Sequence, residues 1–416
     1  MDGTDLSAQA AASADGAAGS ARELMAGFPP AVADRVTLAN WQDPPFNRWA
    51  FRHMRELIPS HPIPAGWRPA PLPVADVGLD LGAVPVARLD GSTATVAEVL
   101  GGTWTDAFVV LRDGAVVAER YDSGMHAGTR HLLMSVSKSI VGCVTGALAD
   151  RGLLDPSSLV TDYVPEVEGS GYAGARVRDL LDMRTGVLFR ETYTALDAEV
   201  RVMERSMGWR PAQPGDPEGA YPYLATLGRE GPHGGEFSYR SADSDMLGWV
   251  CERASGTRMA DLISTLIWQP IGAEADAEIT CDPLGCAVHD GGVSAVARDL
   301  ARFGQMLVDD GRAQDRVVVP SAWLADVCAP VPGVRQAFAS TDNEYVLPGG
   351  WYRSQFWVLP GGSGSPVMVC LGIHGQLIYA DRAARTVVVK LSSWPDAQHT
   401  GYLLDTLRAC AALAAG

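Results

Sequence analysis

Lysine is almost missing from this chain. The sequence holds 33 basic side chains against 49 acidic ones, and only two of the basic ones, Lys138 and Lys390, are lysines. The formal net charge of −16 argues against a phosphate-binding surface, because nucleic-acid binders need basic patches. It argues equally against a polybasic membrane anchor. No apolar run approaches the 18 or so residues of a membrane-spanning helix. The start, Met1-Asp2-Gly3-Thr4-Asp5, lacks the basic-then-apolar pattern of a secretory signal, so a cytoplasmic location is expected.

Cysteine shows no framework. Cys143, Cys251, Cys281, Cys286, Cys328, Cys370 and Cys410 are odd in number and irregular in spacing, so reduced thiols are the expectation. Cys281 and Cys286 are close, but no Cys-x-x-Cys or His-Glu-x-x-His pattern exists, and no structural metal or cofactor is expected. No internal repeat is visible, and the Gly-x-Ser-x-Gly turn of one large hydrolase class is absent.

What is present reads as a globular enzyme. At 416 residues, 47% hydrophobic and 20% charged, the chain can bury a large core. Residues 1–38, rich in Ala, Ser, Gly and Asp, read as a mobile leader. The repeated prolines of 62–78 read as an irregular surface connection. Ala107–Leu111 and Ala115–Ala118 look like a hairpin around Asp113-Gly114, a dipeptide that tolerates positive φ. Ile140, Val141, Val144 and Leu148 recur at helical spacing and Gly152 offers a stop. Helical segments such as 177–183 and 243–253 follow among Gly/Pro loops, with a further helix over 293–310. Residues 367–371, 377–379 and 386–391 resemble an antiparallel meander, closed by a helix over 401–414. Strands at both ends with helices between predict an α+β protein. One mixed lobe would be built from 39–145 and 286–416, and a mainly helical lobe from 146–285, with a cleft between them.

The chemistry centres on Ser135-Val136-Ser137-Lys138. A serine hydroxyl attacks esters and amides only with a base beside it. At a helix start, a spacing of three puts both side chains on one face. The positive helix terminus there favours a developing oxyanion and a depressed lysine pKa, so that Lys138 can be neutral and act as a base. Elsewhere Ser-x-x-Lys is a common surface pair, but here it opens an apolar helix where a solvated lysine is out of place. A tyrosine able to take the serine proton is sought in Tyr-x-Ser, which occurs at Tyr121, Tyr239 and Tyr352. Tyr239 follows Gly234-Gly235 and precedes a helix, a position that can face a cleft. Gly372-Ile373-His374-Gly375 permits close backbone approach to an oxyanion. His374 as the base of a Ser-His-Asp triad is the weaker alternative, since no frame for that triad is visible.

These residues carry a family resemblance. Trp41-Gln42-Asp43-Pro44-Pro45, the run His131 to Ser139, Gly208-Trp209-Arg210, Gly372 to Gln376 and Leu391 to Asp396 resemble the β-lactamase and penicillin-binding-protein superfamily. They are most similar to the 6-aminohexanoate-dimer (nylon-oligomer) hydrolases. The resemblance implies a β-lactamase/DD-peptidase-like fold, an antiparallel sheet flanked by helices plus a helical lobe. It implies Ser135 as nucleophile, Lys138 as its partner, Tyr239 as general acid/base and the backbone N–H groups of Ser135 and Ile373 as oxyanion hole. Tyr193, Glu204, Ser241, Asp290, Trp357 and His374 would line the substrate site, with Tyr193 on the scissile amide and Trp357 on a mobile loop. Cys370-Leu371-Gly372 replaces the superfamily's Lys-Thr-Gly strand motif, which bears against recognition of a β-lactam carboxylate. Glu204 stands where the nylon-dimer enzymes carry an aspartate for the substrate amino group, and Asp290 where they carry an asparagine, keeping an acidic pocket of altered reach. The implied protein is a serine hydrolase of small linear amides and short esters. A carboxylesterase and an ATP-independent acyltransferase are its rivals. Its partner would be a small-molecule substrate, with a homodimer as the family's assembly.

Overall fold

The computed structural model describes residues 23–416. The first part of the expected leader lies outside these residues. The rest of it does not behave as a leader: Met25 donates its N–H to the Asp34 carbonyl at 3.0 Å, and Val36 is buried in the core.

Seven antiparallel strands form the main sheet, in the spatial order 351–353, 356–360, 366–372, 376–381, 386–392, 105–112, 115–121. The C-terminal meander supplies five of them and the early hairpin two, joined where Thr386–Ser392 pairs with Thr105–Arg112. Val109-Val110 and Val387-Val388-Val389 are fully buried, because β-branched side chains suit a pleated surface covered on both faces. Asp113 and Gly114 turn the hairpin at φ +48° and +80°, the two positive angles that match strand twist.

Helices cover the sheet closely. Ala297–Val308 lies on strands 376–392, and a Cβ at Gly304 would come within 2.4 Å of Val387. Val136–Asp150 packs on strands 356–381 and on helix Ser241–Ser255. The stop at Gly152 adopts φ +67°, and Leu153 N–H closes back on the Leu148 carbonyl at 3.1 Å.

A second sheet, in the order 60–63, 277–280, 293–295, 131–132, adjusts three expectations. Pro62 sits inside its edge strand, where a missing N–H costs no ladder bond. The expected helical region to 285 ends in the strand Ala277–Thr280, all four of whose residues are buried. The helix expected from 293 begins at Ala297, because Val293–Ala295 pairs with strands on both sides. This sheet leads His131-Leu132 straight into Ser135, and Val293 N–H donates to Ser137 Oγ at 3.1 Å, pinning strand to helix.

Candidate active site

Ser135 is the residue before helix Val136–Asp150. Met134 precedes it at φ +48°, a left-handed conformation that is costly for an ordinary side chain and is held here by its surroundings. Across from it runs Gly372. A Cβ there would meet the Leu133 carbonyl at 2.6 Å and Met134 Cβ at 3.1 Å, so only glycine lets the two backbones approach. The N–H groups of Ser135 and Ile373 have no acceptor among the described residues.

Lys138 is buried beneath the serine. Its Nζ donates to Ser135 Oγ at 3.0 Å, Ser241 Oγ at 3.1 Å and the Asp290 carbonyl at 2.8 Å, and lies 3.4 Å from Asp290 Oδ2. Burial alone would lower its pKa, but Tyr239, Asp290, Glu191 and Asp245 outweigh burial and raise it. This bears against the expectation of a neutral lysine: the carboxyl groups of Asp290, Glu191 and Asp245 favour the ammonium.

Tyr239 faces the same point. Its ring centroid is 5.3 Å from Lys138 Nζ and it stacks on Trp357 at 5.4 Å. Burial raises the Tyr239 pKa, while Lys138 and a hydrogen bond to Ser135 pull it down in part. Tyr121 and Tyr352, the competing Tyr-x-Ser sites, stand elsewhere: Tyr121 bonds Glu119, and Tyr352 is buried edge-on against the Tyr239 ring.

Two carboxylates complete the cluster, and sequence patterns did not reveal them. Glu191 accepts from Tyr193 Oη at 2.6 Å, Ser241 Oγ at 2.6 Å and Ser241 N–H at 2.9 Å. Burial raises its pKa, opposed by Lys138 and these bonds. Asp245 accepts from the N–H groups of His289 and Asp290 at 2.7 and 3.3 Å and so shapes the turn that carries Asp290. Burial, reinforced by Asp290, raises the Asp245 pKa. Glu191 lies in an irregular loop, so no periodicity marks it; its one signal is its place two residues before Tyr193.

Other expected substrate residues fall differently. Ser241 bridges Lys138 and Glu191, which makes it a support of the cluster. Trp357 is on the strand Phe356–Pro360, not on a mobile loop, with Tyr239 stacked on it. His374 is buried, its Nδ1 bonded to the Trp394 carbonyl at 2.8 Å and its ring edge-on to Phe51. Burial pushes its pKa down to about 4. It lines neither arm of the cleft, which removes it both as a triad base and as a substrate contact. Glu204 is buried between Arg201 Nη1 at 2.5 Å and Arg210 Nε at 2.6 Å, with Gln42 Nε2 at 3.2 Å. It offers no free carboxylate, so at that end the expected acidic pocket rests on Asp290, which lines the same narrow arm and whose Oδ1 has no hydrogen-bond partner among the described residues.

The cleft has two arms that meet at Ser135, Tyr193 and Ile373. The wide arm has a volume of about 310 Å³ and Tyr239 on its wall. The narrow arm, reaching past Met134 to Glu204 and Asp290, has about 20 Å³, room for roughly one water. A buried serine in contact with an ammonium, beside a tyrosine and two unpaired N–H groups, is equipped for acyl transfer.

The family model for β-lactamases matches residues 94–413. This chain belongs to the β-lactamase family. Within it, the chain is 41% identical over 392 residues to the 6-aminohexanoate-dimer hydrolase of Paenarthrobacter ureafaciens, covering 92% of this chain and 96% of that one. A solved structure from Bacillus anthracis, named as a candidate 6-aminohexanoate-dimer hydrolase, superimposes with a TM-score of 0.80 at 26% identity, over 92% of this chain and 97% of its own. EstCE1, described as a hydrolase with promiscuous acyltransferase activity, shares the fold at a TM-score of 0.59 and 16% identity, over 76% of this chain and 98% of its own. This β-lactamase-family protein is therefore a hydrolase of the 6-aminohexanoate-dimer hydrolase type. In it the Trp41 run is structural: Trp41 Nε1 donates to the Trp209 carbonyl at 2.7 Å, under the narrow arm.

Proposed function

We propose that this protein cleaves small linear amides and short esters through an acyl-enzyme on Ser135. The observation that carries the reading is Lys138 Nζ, 3.0 Å from Ser135 Oγ, in a buried cluster that also holds Tyr239.

The reactive form has one proton fewer than the resting pair of Lys138 ammonium and neutral Tyr239. The ammonium stays, and its charge favours the tyrosinate over a neutral lysine beside a neutral phenol. Tyr239 oxygen takes the Ser135 proton as Oγ attacks the substrate carbonyl carbon. The oxyanion accepts from the N–H groups of Ser135 and Ile373. The C–N or C–O bond then breaks, and Tyr239 returns its proton to the leaving nitrogen or oxygen. Water attacks the acyl-enzyme, giving a proton to Tyr239. Collapse frees the carboxylic acid, and the proton goes back to Ser135 Oγ.

Mass spectrometry after mixing with a p-nitrophenyl ester tests this reading. An adduct of the acyl mass on wild type, absent in Ser135→Ala and released by water alone, supports hydrolysis. An adduct that survives in Ser135→Ala removes Ser135 as nucleophile. Release only when an amine is added would make the protein an acyltransferase.

A further inference from the structure

We propose that the wide arm holds the leaving half of the substrate and that its outer end, where helix Thr400–Ala415 begins, receives a carboxylate carried by that half. This rests on the Ser135 reading above and assigns a subsite to it.

The first ground is the position of the proton carrier. Tyr239 returns its proton to the leaving nitrogen or oxygen, so that atom must come within hydrogen-bond reach of the tyrosine oxygen. Tyr239 is on the wall of the wide arm and does not line the narrow one. The leaving half therefore runs into the wide arm, and the acyl side of Ser135 faces the narrow arm and Asp290. Val346, Leu347, Leu377 and Leu403 line the wide arm, walls that suit a chain of methylene groups.

The second ground is the set of donors at the outer end. Helix Thr400–Ala415 is 16 residues long, and His399 and Thr400 at its start line the arm. The N–H groups of Thr400 and Gly401 have no acceptor among the described residues, and the helix terminus adds positive potential there. His399 Nδ1 accepts the Tyr402 N–H at 3.1 Å, so the ring proton is on Nε2. Gln398 lines the arm beside them.

Thr406 is an independent sign of a polar ligand. It is buried and lines the same arm, yet its Oγ1 has no hydrogen-bond partner among the described residues. Positions 400, 403 and 406 share one face of the helix. A buried hydroxyl left unpaired costs free energy, which a polar group or water carried into the arm would recover. Charge inside the arm does not oppose an anion at this end. Glu191, the one carboxylate on its wall among the described residues, is at the Ser135 end, bonded to Tyr193 and Ser241. Asp396, the acid nearest to Thr400 in sequence, does not line the arm.

Two measurements test the inference. The linear 6-aminohexanoate dimer and its C-terminal primary amide differ only at the group meant for the helix end. With wild type, kcat/KM is expected to be about tenfold or more higher for the carboxylate. Equal or faster turnover of the primary amide overturns the inference. Calorimetric binding to Ser135→Ala reads the cleft without the chemistry: N-acetyl-6-aminohexanoate is expected to bind more tightly than N-acetyl-6-aminohexanamide, and equal or reversed affinities overturn it. If no substrate acylates wild type while the binding order holds, the Ser135 reading fails and the carboxylate site stands by itself. Thr400→Asp sets a like charge at the first helical position, where an acid also favours the helix. It is expected to cut the preference for the carboxylate dimer over its primary amide by about fivefold. An unchanged preference in that variant, folded by circular dichroism, overturns the placement at the helix end.

Discussion

Asp290 meets Lys138 twice, through its carbonyl oxygen at 2.8 Å and its carboxylate at 3.4 Å. The carbonyl contact orients the ammonium and the carboxylate helps keep its charge. Because the reactive form is one proton short of the resting pair, and because the surroundings raise the pKa of both Lys138 and Tyr239, kcat/KM should rise with pH through neutrality and into the alkaline range. A pH profile with an uncharged ester checks this; a profile that falls above pH 7 would sink the Lys138–Tyr239 assignment.

Asp290→Asn keeps the carbonyl contact and removes the negative charge. Proton loss from the pair becomes easier, so the alkaline limb should move to lower pH by up to about one unit. An unmoved limb would show that the Asp290 charge does not reach the pair.

Tyr239→Phe removes the proton carrier and leaves the ring that stacks on Trp357. It should lower kcat by about 10² or more, with a small effect on thermal stability. Stopped-flow release of p-nitrophenol reads the acylation step directly. A Tyr239→Phe enzyme that acylates at the wild-type rate would return the proton transfer to Lys138.

Gly372→Ala tests the close approach of the two backbones at Met134. The new methyl group would stand 2.6 Å from the Leu133 carbonyl, so the strand or the Ser135 turn must shift, at a cost of about 1–3 kcal/mol. Both the melting temperature and kcat should fall, kcat further than the stability loss alone explains.

Lys390, the other lysine, plays no part in the site. It is buried with its Nζ on the Thr103 carbonyl at 3.0 Å and on Ser392 Oγ. Burial, opposed by Asp106, brings its pKa down to about 7. Between pH 7 and its ordinary value of 10.5 the unfolded chain binds more protons than the folded one, so stability rises with pH across that window. Lys390→Met should remove that rise and raise stability at pH 7 by about 1–3 kcal/mol. The Thr103 carbonyl would still accept from Trp394 Nε1 at 2.9 Å. Denaturant unfolding of both proteins at pH 7 and pH 10 checks it; a Lys390→Met variant less stable than wild type at pH 7 would make Lys390 a needed hydrogen-bond anchor instead.

Local order in the sequence determined a good deal of this protein. The spacing of Ser135 and Lys138, the turn at Asp113-Gly114 and the valine runs of 109–110 and 387–389 depend on neighbours within a few residues, and each took the form its pattern implies. The family resemblance carried the fold and pointed to Tyr239, which periodicity alone left level with Tyr121 and Tyr352. Only the tertiary structure decided the charges. Lys138 stays an ammonium because Glu191, Asp245 and Asp290, 53 to 152 residues further along, converge on it. Glu204 is neutralised by Arg201 and Arg210 rather than left for a substrate, and His374 turns to the Trp394 carbonyl instead of the cleft. The physical reason is common to all of these. A backbone pattern is set by short-range sterics and hydrogen bonds, whereas a protonation state is set by burial and by every charge within a few ångströms, whatever its position in the chain.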